Sequence, residues 1–323
     1  MKDEANWCNS WNSWQKSLLP LCPSWIKINV SAAWRRGNGA CEPSANHGEH
    51  QTMLTNLNVA VIGTGTMGEA VIGGLLQAEL VQPTQVLAAT PRPERRRELS
   101  QRWGIATTGD NREAATWGNV VILGIKPQMT EQVLPQLNGA FQTDDLIVSV
   151  LAGVKMRQIA EATGHSAIAR SMPNTPAQIA EGITVWTASK GLDQARRGWA
   201  KIVLSAIGEE VEVEDEKFMD MATALSGTGP AYVFMVMEAL IDAGVHMGFP
   251  RRIAAQLVEQ TVIGAVRYSA QSGKHVAELR NMVTSPGGTT AAALYELEKG
   301  RLRTVLADGV WAAYRRAREL GGE

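Results

Sequence analysis

The chain has 323 residues and a formal net charge of −1, with 31 Lys plus Arg against 32 Asp plus Glu, 45% apolar residues, 31 Gly and 3 Cys. Such a length buries a sizeable core and suits two domains, while the balanced charge excludes a global field that would hold nucleic acid or an anionic membrane. No uninterrupted apolar run approaches the roughly 18 residues of a membrane span, the apolar content is too high for wholesale disorder, and neither the cysteines nor the histidines have the spacing of a metal site.

Residues 1–52 hold five of the ten tryptophans and all three cysteines (Cys8, Cys22, Cys41), without a sustained period of 2 or 3.6. Asp3 and Glu4 stand where a secretory leader would be basic, and the apolar run near Leu18–Leu21 is short, so export is not expected and the cytoplasm is the default compartment. Met53 directly precedes the first strand-like run. It is the expected natural start, with 1–52 a mispredicted or disordered extension.

From Leu57 the chain reads NVAVIGTGTMGEAVIGGLLQAEL, a β-branched run, a glycine-rich turn and then apolar residues at helical spacing. Gly63, Gly65 and Gly68, with Thr64, Thr66 and Met67 between them, form G-x-G-x-x-G. The first glycine permits the turn, the second admits a pyrophosphate to the backbone, and the third lets helix and strand pack closely. The second strand, QVLAAT, ends at Thr90 without the acid that binds a ribose 2′-OH, and Arg92 follows. A hydroxyl and a guanidinium suit a 2′-phosphate, so NADP(H) is favoured over NAD(H), with Thr90 and Arg92 as its contacts. Arg95, Arg96 and Arg97 are either the solvated face of the next helix or further contacts.

Runs at 119–125, 145–153, 167–172 and 183–188 alternate with helical stretches and predict a mostly parallel, doubly wound α/β sheet. Ligands of such sheets bind beyond the carboxyl ends of the strands, which singles out Lys126-Pro127, Val150–Gly153 and the Met172–Pro176 segment. Their prolines are strand terminators or a rigid wall for a nicotinamide. After the acidic strand EEVEVEDE, apolar residues recur at helical spacing from Lys217 to about Leu320, which divides the chain into a dinucleotide-binding domain (53–216) and a helical domain (217–323). The helix opening at Pro230, PAYVFMVMEALIDAGVHMG, is apolar on nearly every side and is expected to be buried on all faces. About 100 residues cannot enclose it alone, so a homodimer packed through the helical domains is expected.

Residues 282–298, MVTSPGGTTAAALYELE, join a glycine-rich turn to a helix expected to begin near Ala291, capped by Thr289 or Thr290. Two hydroxyl residues, two glycines and a helix start make an anion cradle for a small carboxylate, or a structural loop with an N-cap.

Taken in order, GTGTMG (63–68), GIKPQ (124–128), RSMPNTP (170–176), ALSGTGPAY (224–232) and VTSPGGTT (283–290) closely resemble the pyrroline-5-carboxylate reductase family, over about Leu57 to Leu320. The resemblance implies a Rossmann-type domain followed by an all-helical dimerisation domain that interlocks with a partner subunit, in some members within a larger ring of dimers. It implies NADPH-dependent reduction of 1-pyrroline-5-carboxylate to L-proline, the last step of proline biosynthesis, with NADH as a second cofactor. By resemblance, Gly63–Gly68 hold the pyrophosphate, Thr90 and Arg92 the 2′-phosphate end, and Asn111 the adenosine side. Gly124, Lys126, Pro127, Val150, Leu151 and Ala152 line the ribose and nicotinamide. The substrate carboxylate sits on Ser285, Gly287, Gly288 and Thr289, with Thr290 near the ring nitrogen and Asn174 and Glu181 facing the substrate.

Protonated pyrroline is already electrophilic, so its reduction needs positioning and a hydrogen-bonding hydroxyl rather than a strong general acid, and Thr290 is the candidate. A β-hydroxyacid dehydrogenase would instead need a lysine on a helix of the second domain. The sequence has none between Lys217 and Lys274, and carries Glu238 and Asp242 in that helix. A non-catalytic NADPH-sensing protein would be free to lose the loop of Ser285, Gly287, Gly288 and Thr290, which is retained.

Overall fold

β-Branched runs that end in a glycine, a proline or a polar turn become strands of one sheet. The computed structural model describes Leu54 and residues 56–322, so the readings made on 1–52, on Met53 and on the three cysteines lie outside the described residues. Strand β1 (Val59–Ile62) turns into helix α1 (Thr66–Gln77), β2 (Val86–Ala89) leads to α2 (Pro93–Trp103), and β3 (Ala106–Thr108) to α3 (Asn111–Trp117). Next come β4 (Val120–Leu123), a single turn α4 (Thr130–Val133), β5 (Leu146–Ser149), α5 (Met156–Thr163) and β6 (Ile168–Met172). Strand β7 (Gly182–Ala188), α6 (Gln194–Ser205) and β8 (Gly208–Glu212) complete the sheet.

The strand order is β3-β2-β1-β4-β5-β6-β7-β8. Neighbours from β3 to β6 are parallel; β7 runs antiparallel to β6 and parallel to β8. The doubly wound reading therefore holds, with one reversal that the sequence did not announce. Its cause is the short link after Met172, which forms a 3-10 turn (Thr175–Ile179), whereas a parallel return needs a crossover of about a dozen or more residues. Strands β1, β4 and β5 are buried at every position. Their side chains alternate between two cores. Val59, Val61, Ile122 and Val148 meet α1 and α6 on one face, and Ala60, Ile62, Leu123 and Ile147 meet α3 and α5 on the other.

Beyond β8 the chain is helical: α7 (Phe218–Ala222), a π turn (Thr223–Gly227), α8 (Gly229–His246), α9 (Arg251–Ser272), α10 (Val276–Met282), α11 (Thr289–Lys299) and α12 (Leu302–Leu320). Within one chain the apolar helix α8 is not buried on all faces, in line with the expectation that about 100 residues cannot enclose it alone. Gly244 is its only buried residue, while Phe234 is 62% exposed, Met235 59% and Leu240 49%. Helix α8 pairs with α9, where a Cβ on Gly244 would lie 3.0 Å from that of Ala254, and this contact covers only one side. The run Phe218–His246 is long and apolar enough to cross a membrane, so composition alone does not say what covers it.

Candidate functional site

The order of the strands reverses at β1, between β2 and β4, which is where parallel sheets open a crevice at their carboxyl ends. Three glycines make that crevice possible. Gly63 has φ +92°, and a Cβ there would lie 2.5 Å from the Ile125 nitrogen; on Gly68 it would lie 2.2 Å from the Gly63 oxygen, and on Gly124 2.7 Å from the same oxygen. Backbone thus packs on backbone where β1, α1 and the end of β4 meet.

Gly65 has open space around it and is the N-cap of α1, with no side chain bonded to the amides of the first turn. Those amides and the positive end of the helix suit a phosphate. Thr64 is buried, and its Oγ1 has no hydrogen-bond partner among the described residues. The residues therefore fit a dinucleotide pyrophosphate. A cavity of about 760 Å³ opens beside this turn, lined by Thr64, Gly65, Thr66, Arg92, Arg95 and Trp103 among others.

At the end of β2, buried Thr90 donates its N–H to the Thr108 oxygen at 3.0 Å, and Arg92 lies exposed at the cavity's edge. The next three arginines divide in a way neither sequence alternative described. Arg95 donates from Nε and Nη2 to the Thr64 oxygen, each at 3.3 Å, and pairs with Glu69 and Glu98. Arg96 donates to the Thr90 and Pro91 oxygens at 2.9 and 3.1 Å, and only Arg97 is a surface group, paired with Glu94. Burial alone would raise the Glu69 carboxyl; hydrogen bonds from Arg95 and Trp103 and the charges of Arg95 and Arg102 outweigh it and hold the group below the usual range.

On the other side of the switch point, Gly124 donates its N–H to the Ile62 oxygen at 2.8 Å, and Lys126 and Pro127 follow. Val150 donates to the Leu123 oxygen at 3.1 Å, which sets Val150, Leu151 and Ala152 beside the end of β4. Asn174 Oδ1 accepts the Ile183 amide at 3.0 Å, so that oxygen closes the 174–183 loop from within. Glu181 is exposed and follows Ala180, which holds a left-handed φ of +57°. Asn111, at the start of α3, donates to Gln136 Oε1 at 3.1 Å.

A charged node joins the sheet to the helices. Arg170 on β6 is 4% exposed and donates to Glu216 Oε1 at 2.7 Å, with Asp220 Oδ1 at 3.8 Å. The same Glu216 oxygen accepts the Met156 amide at 2.8 Å. One carboxylate thus holds the end of β6, the segment after Ala152 and the start of the helical half. A Cβ on Gly227 would lie 2.6 Å from Met172 Cε, so the π turn rests on the MPNTP segment. Glu216 was not singled out from sequence, whereas most of the π turn lies in the ALSGTGPAY motif (224–232) and Arg95 was left between a solvated helix face and a cofactor contact.

The 285–290 turn corrects one expectation. Helix α11 begins at Thr289 and its N-cap is Gly288, at φ −79° and ψ 169°, with no side-chain cap. Thr289 and Thr290 already lie inside the first turn, so neither hydroxyl occupies the extended position from which a cap reaches the following amides. Gly288 N–H donates to the Ser285 oxygen at 3.1 Å, and a Cβ on Gly288 would lie 2.4 Å from Ser285 Oγ. Ser285, Gly287 and Thr289 are exposed and Thr290 is half-buried. The turn offers uncapped amides beside two hydroxyls, as an anion cradle requires. Its backbone bonds are local and do not reach the crevice of the same chain.

Residues 216–320 match the family model described as pyrroline-5-carboxylate reductase dimerisation, and residues 58–153 match one described as NADP oxidoreductase coenzyme F420-dependent. The chain is 40% identical over 266 residues to a pyrroline-5-carboxylate reductase of Synechocystis sp., covering 82% of this chain and 99% of that protein. The solved pyrroline-5-carboxylate reductase of Coxiella burnetii superposes with a TM-score of 0.76 at 35% identity, over 82% of this chain and 98% of that one. The pyrroline carboxylate reductase of Plasmodium falciparum, solved with NADP bound, also has a TM-score of 0.76, at 29% identity and the same coverage.

Proposed function

Because the chain belongs to the pyrroline-5-carboxylate reductase family, we propose that it reduces 1-pyrroline-5-carboxylate to L-proline with NADPH, the last step of proline biosynthesis, and accepts NADH in second place. The observation that carries this reading is the co-occurrence in one chain of the glycine cradle at the β1–α1 turn and the uncapped turn at 285–290, on the fold of reductases that it matches almost end to end.

The dinucleotide, when bound, supplies a hydride to the imine carbon. The chain's own residues bind and orient. Amides of Gly65–Gly68 and the Thr64 hydroxyl take the pyrophosphate, Thr90 and Arg92 the 2′-phosphate end, and Asn111 the adenosine side. Gly124, Lys126, Pro127 and Val150–Ala152 flank the nicotinamide. Amides of Gly287 and Thr289 with Ser285 Oγ hold the substrate carboxylate, on the turn that the Gly288 N–H closes, and Thr290 Oγ1 hydrogen-bonds the ring nitrogen, where the proton stays. The Asn174 amide group and Glu181 border the substrate. A fixed carboxylate turns an encounter into an oriented approach, which is the larger part of the catalysis.

The chain acts as a homo-oligomer, with the apolar faces of α8 and α9 covered by a second copy in a dimer, and we extend this to a ring of dimers in the cytoplasm. Following NADPH absorbance in the purified protein, with and without pyrroline-5-carboxylate and with NADH alongside, tests the activity. Substrate-dependent oxidation is the expected result; cofactor binding without turnover would favour a sensor. Thr290→Ala should lower turnover about tenfold to a hundredfold, the worth of one hydrogen bond to a charged group, while NADPH affinity stays. Unchanged turnover would remove Thr290 from this role.

A further inference from the structure

Arg95 belongs to none of the groups assigned above, yet it touches the glycine turn directly. Its guanidinium is held on three sides: Nε and Nη2 on the Thr64 oxygen, Nη2 also on Glu69, and Nη1 on Glu98 at 2.8 Å, with the side chain 15% exposed. To reach a 2′-phosphate, this fork would have to release the Thr64 carbonyl and Glu69 together. Resting on the dinucleotide reading above, we propose that Arg95 is a positioning residue that clasps the β1–α1 turn from α2, so that NADPH and NADH depend on it equally, while Arg92, with Thr90, discriminates the 2′-phosphate.

Two physical effects carry this. The peptide between Thr64 and Gly65 is planar and trans, so a carbonyl pinned toward α2 fixes the Gly65 N–H in the opposite direction. That amide lies at the helix start, among the donors suited to a pyrophosphate. The second effect is charge. Glu69 sits in the first turn of α1, where its carboxylate would repel a bound phosphate, and Arg95 neutralises it together with Arg102, whose Nη1 lies 2.8 Å from Glu69 Oε1. Neither effect involves the 2′ position of the ribose. A conservative lysine could keep the charge, but it lacks the planar fork that spans carbonyl and carboxylate at once.

The test is calorimetric affinity for NADPH and for NADH, without substrate, in the intact protein and its variants. Arg95→Ala should weaken both by the same factor, about tenfold for the loss of one charge-assisted hydrogen bond. Arg95→Lys should recover little of this for either cofactor. Arg92→Ala should weaken NADPH much more than NADH, and Arg97→Ala should change neither. Loss confined to NADPH in Arg95→Ala would make Arg95 a 2′-phosphate contact, and no loss for either would make the clasp idle; each overturns the proposal. Should Arg95→Ala not fold, Arg95→Lys decides by the same two ratios. An unaltered protein that binds neither dinucleotide would overturn the cofactor reading itself, and the clasp with it.

Discussion

In the sheet, β1, β4 and β5 are buried at every position and a core closes over each face, whereas α8 buries only Gly244 and leaves Phe234, Met235 and Leu240 outside. The two regions are similarly apolar in sequence and differ in where their cover comes from. A parallel sheet is covered by its own crossover helices, so its crevice is complete in one chain. Helices α8 and α9 cover each other on one side only. The dinucleotide cradle should therefore survive separation of the subunits, and turnover should not.

The strongest way to break that contrast is to charge the open face. A Phe234→Glu, Leu240→Glu double variant should lose assembly, since each buried anchor of an interface is worth about 2 kcal/mol or more. Light scattering should give a monomer mass, turnover should vanish, and NADPH affinity should hold within about twofold, less than 0.5 kcal/mol. Loss of NADPH affinity in step with assembly would mean that the sheet half also leans on its partner.

Next in size is the seam between the halves. Arg170→Ala leaves Glu216 and Asp220 without their buried cation, and breaking such a pair costs about 3–5 kcal/mol. The urea midpoint should fall accordingly. Glu216→Gln should cost less, because the amide oxygen can still accept from Met156 and Arg170. An equal loss in both would show that charge matters more than the hydrogen bonds. Within the sheet half, Gly68→Ala places a Cβ 2.2 Å from the Gly63 oxygen, and overpacking of this kind costs about 1–3 kcal/mol. NADPH affinity should drop with it; unaltered affinity would mean that the turn can open without loss.

What the sequence disclosed follows the same division. The β1–α1 turn was legible because period, glycine spacing and helix start lie within a dozen consecutive residues, and the structure gives each glycine its reason. Strand β3 was missed because Ala106–Thr108 is short and has only partial cover, so no apolar run marks it. The N-cap of α11 was misplaced by one to two residues because Gly288 takes the extended cap conformation itself and draws both threonines into the helix. Arg95 could not be sorted from Arg97 by position. One reaches back to a carbonyl 31 residues earlier and the other faces water, a difference set by how α2 packs on α1. That α8 lacks full cover within one chain was legible from size alone, since about 100 residues cannot enclose a helix apolar on every side, but the sequence did not say which face stays open.

The smallest expected effect concerns Glu69, one of three carboxylates lining the cavity beside the β1–α1 turn. Its carboxyl is held below the usual value of 4.5, so the folded state keeps the ionised form to lower pH than the unfolded chain does. Above that value both states are ionised and the stabilisation by Arg95 and Arg102 is whole. As pH falls through it, the unfolded chain takes up the proton first and the stabilisation drains away. Glu69→Gln has no proton to take up at this site. The gap in urea midpoint between the two proteins should thus be widest near neutral pH and close as pH falls below about 4. A gap that does not narrow as pH falls from neutral would mean that Glu69 acts through the shape of its hydrogen bonds rather than its charge, and would remove the charge effect ascribed to Arg95 while leaving its hold on the Thr64 carbonyl in place.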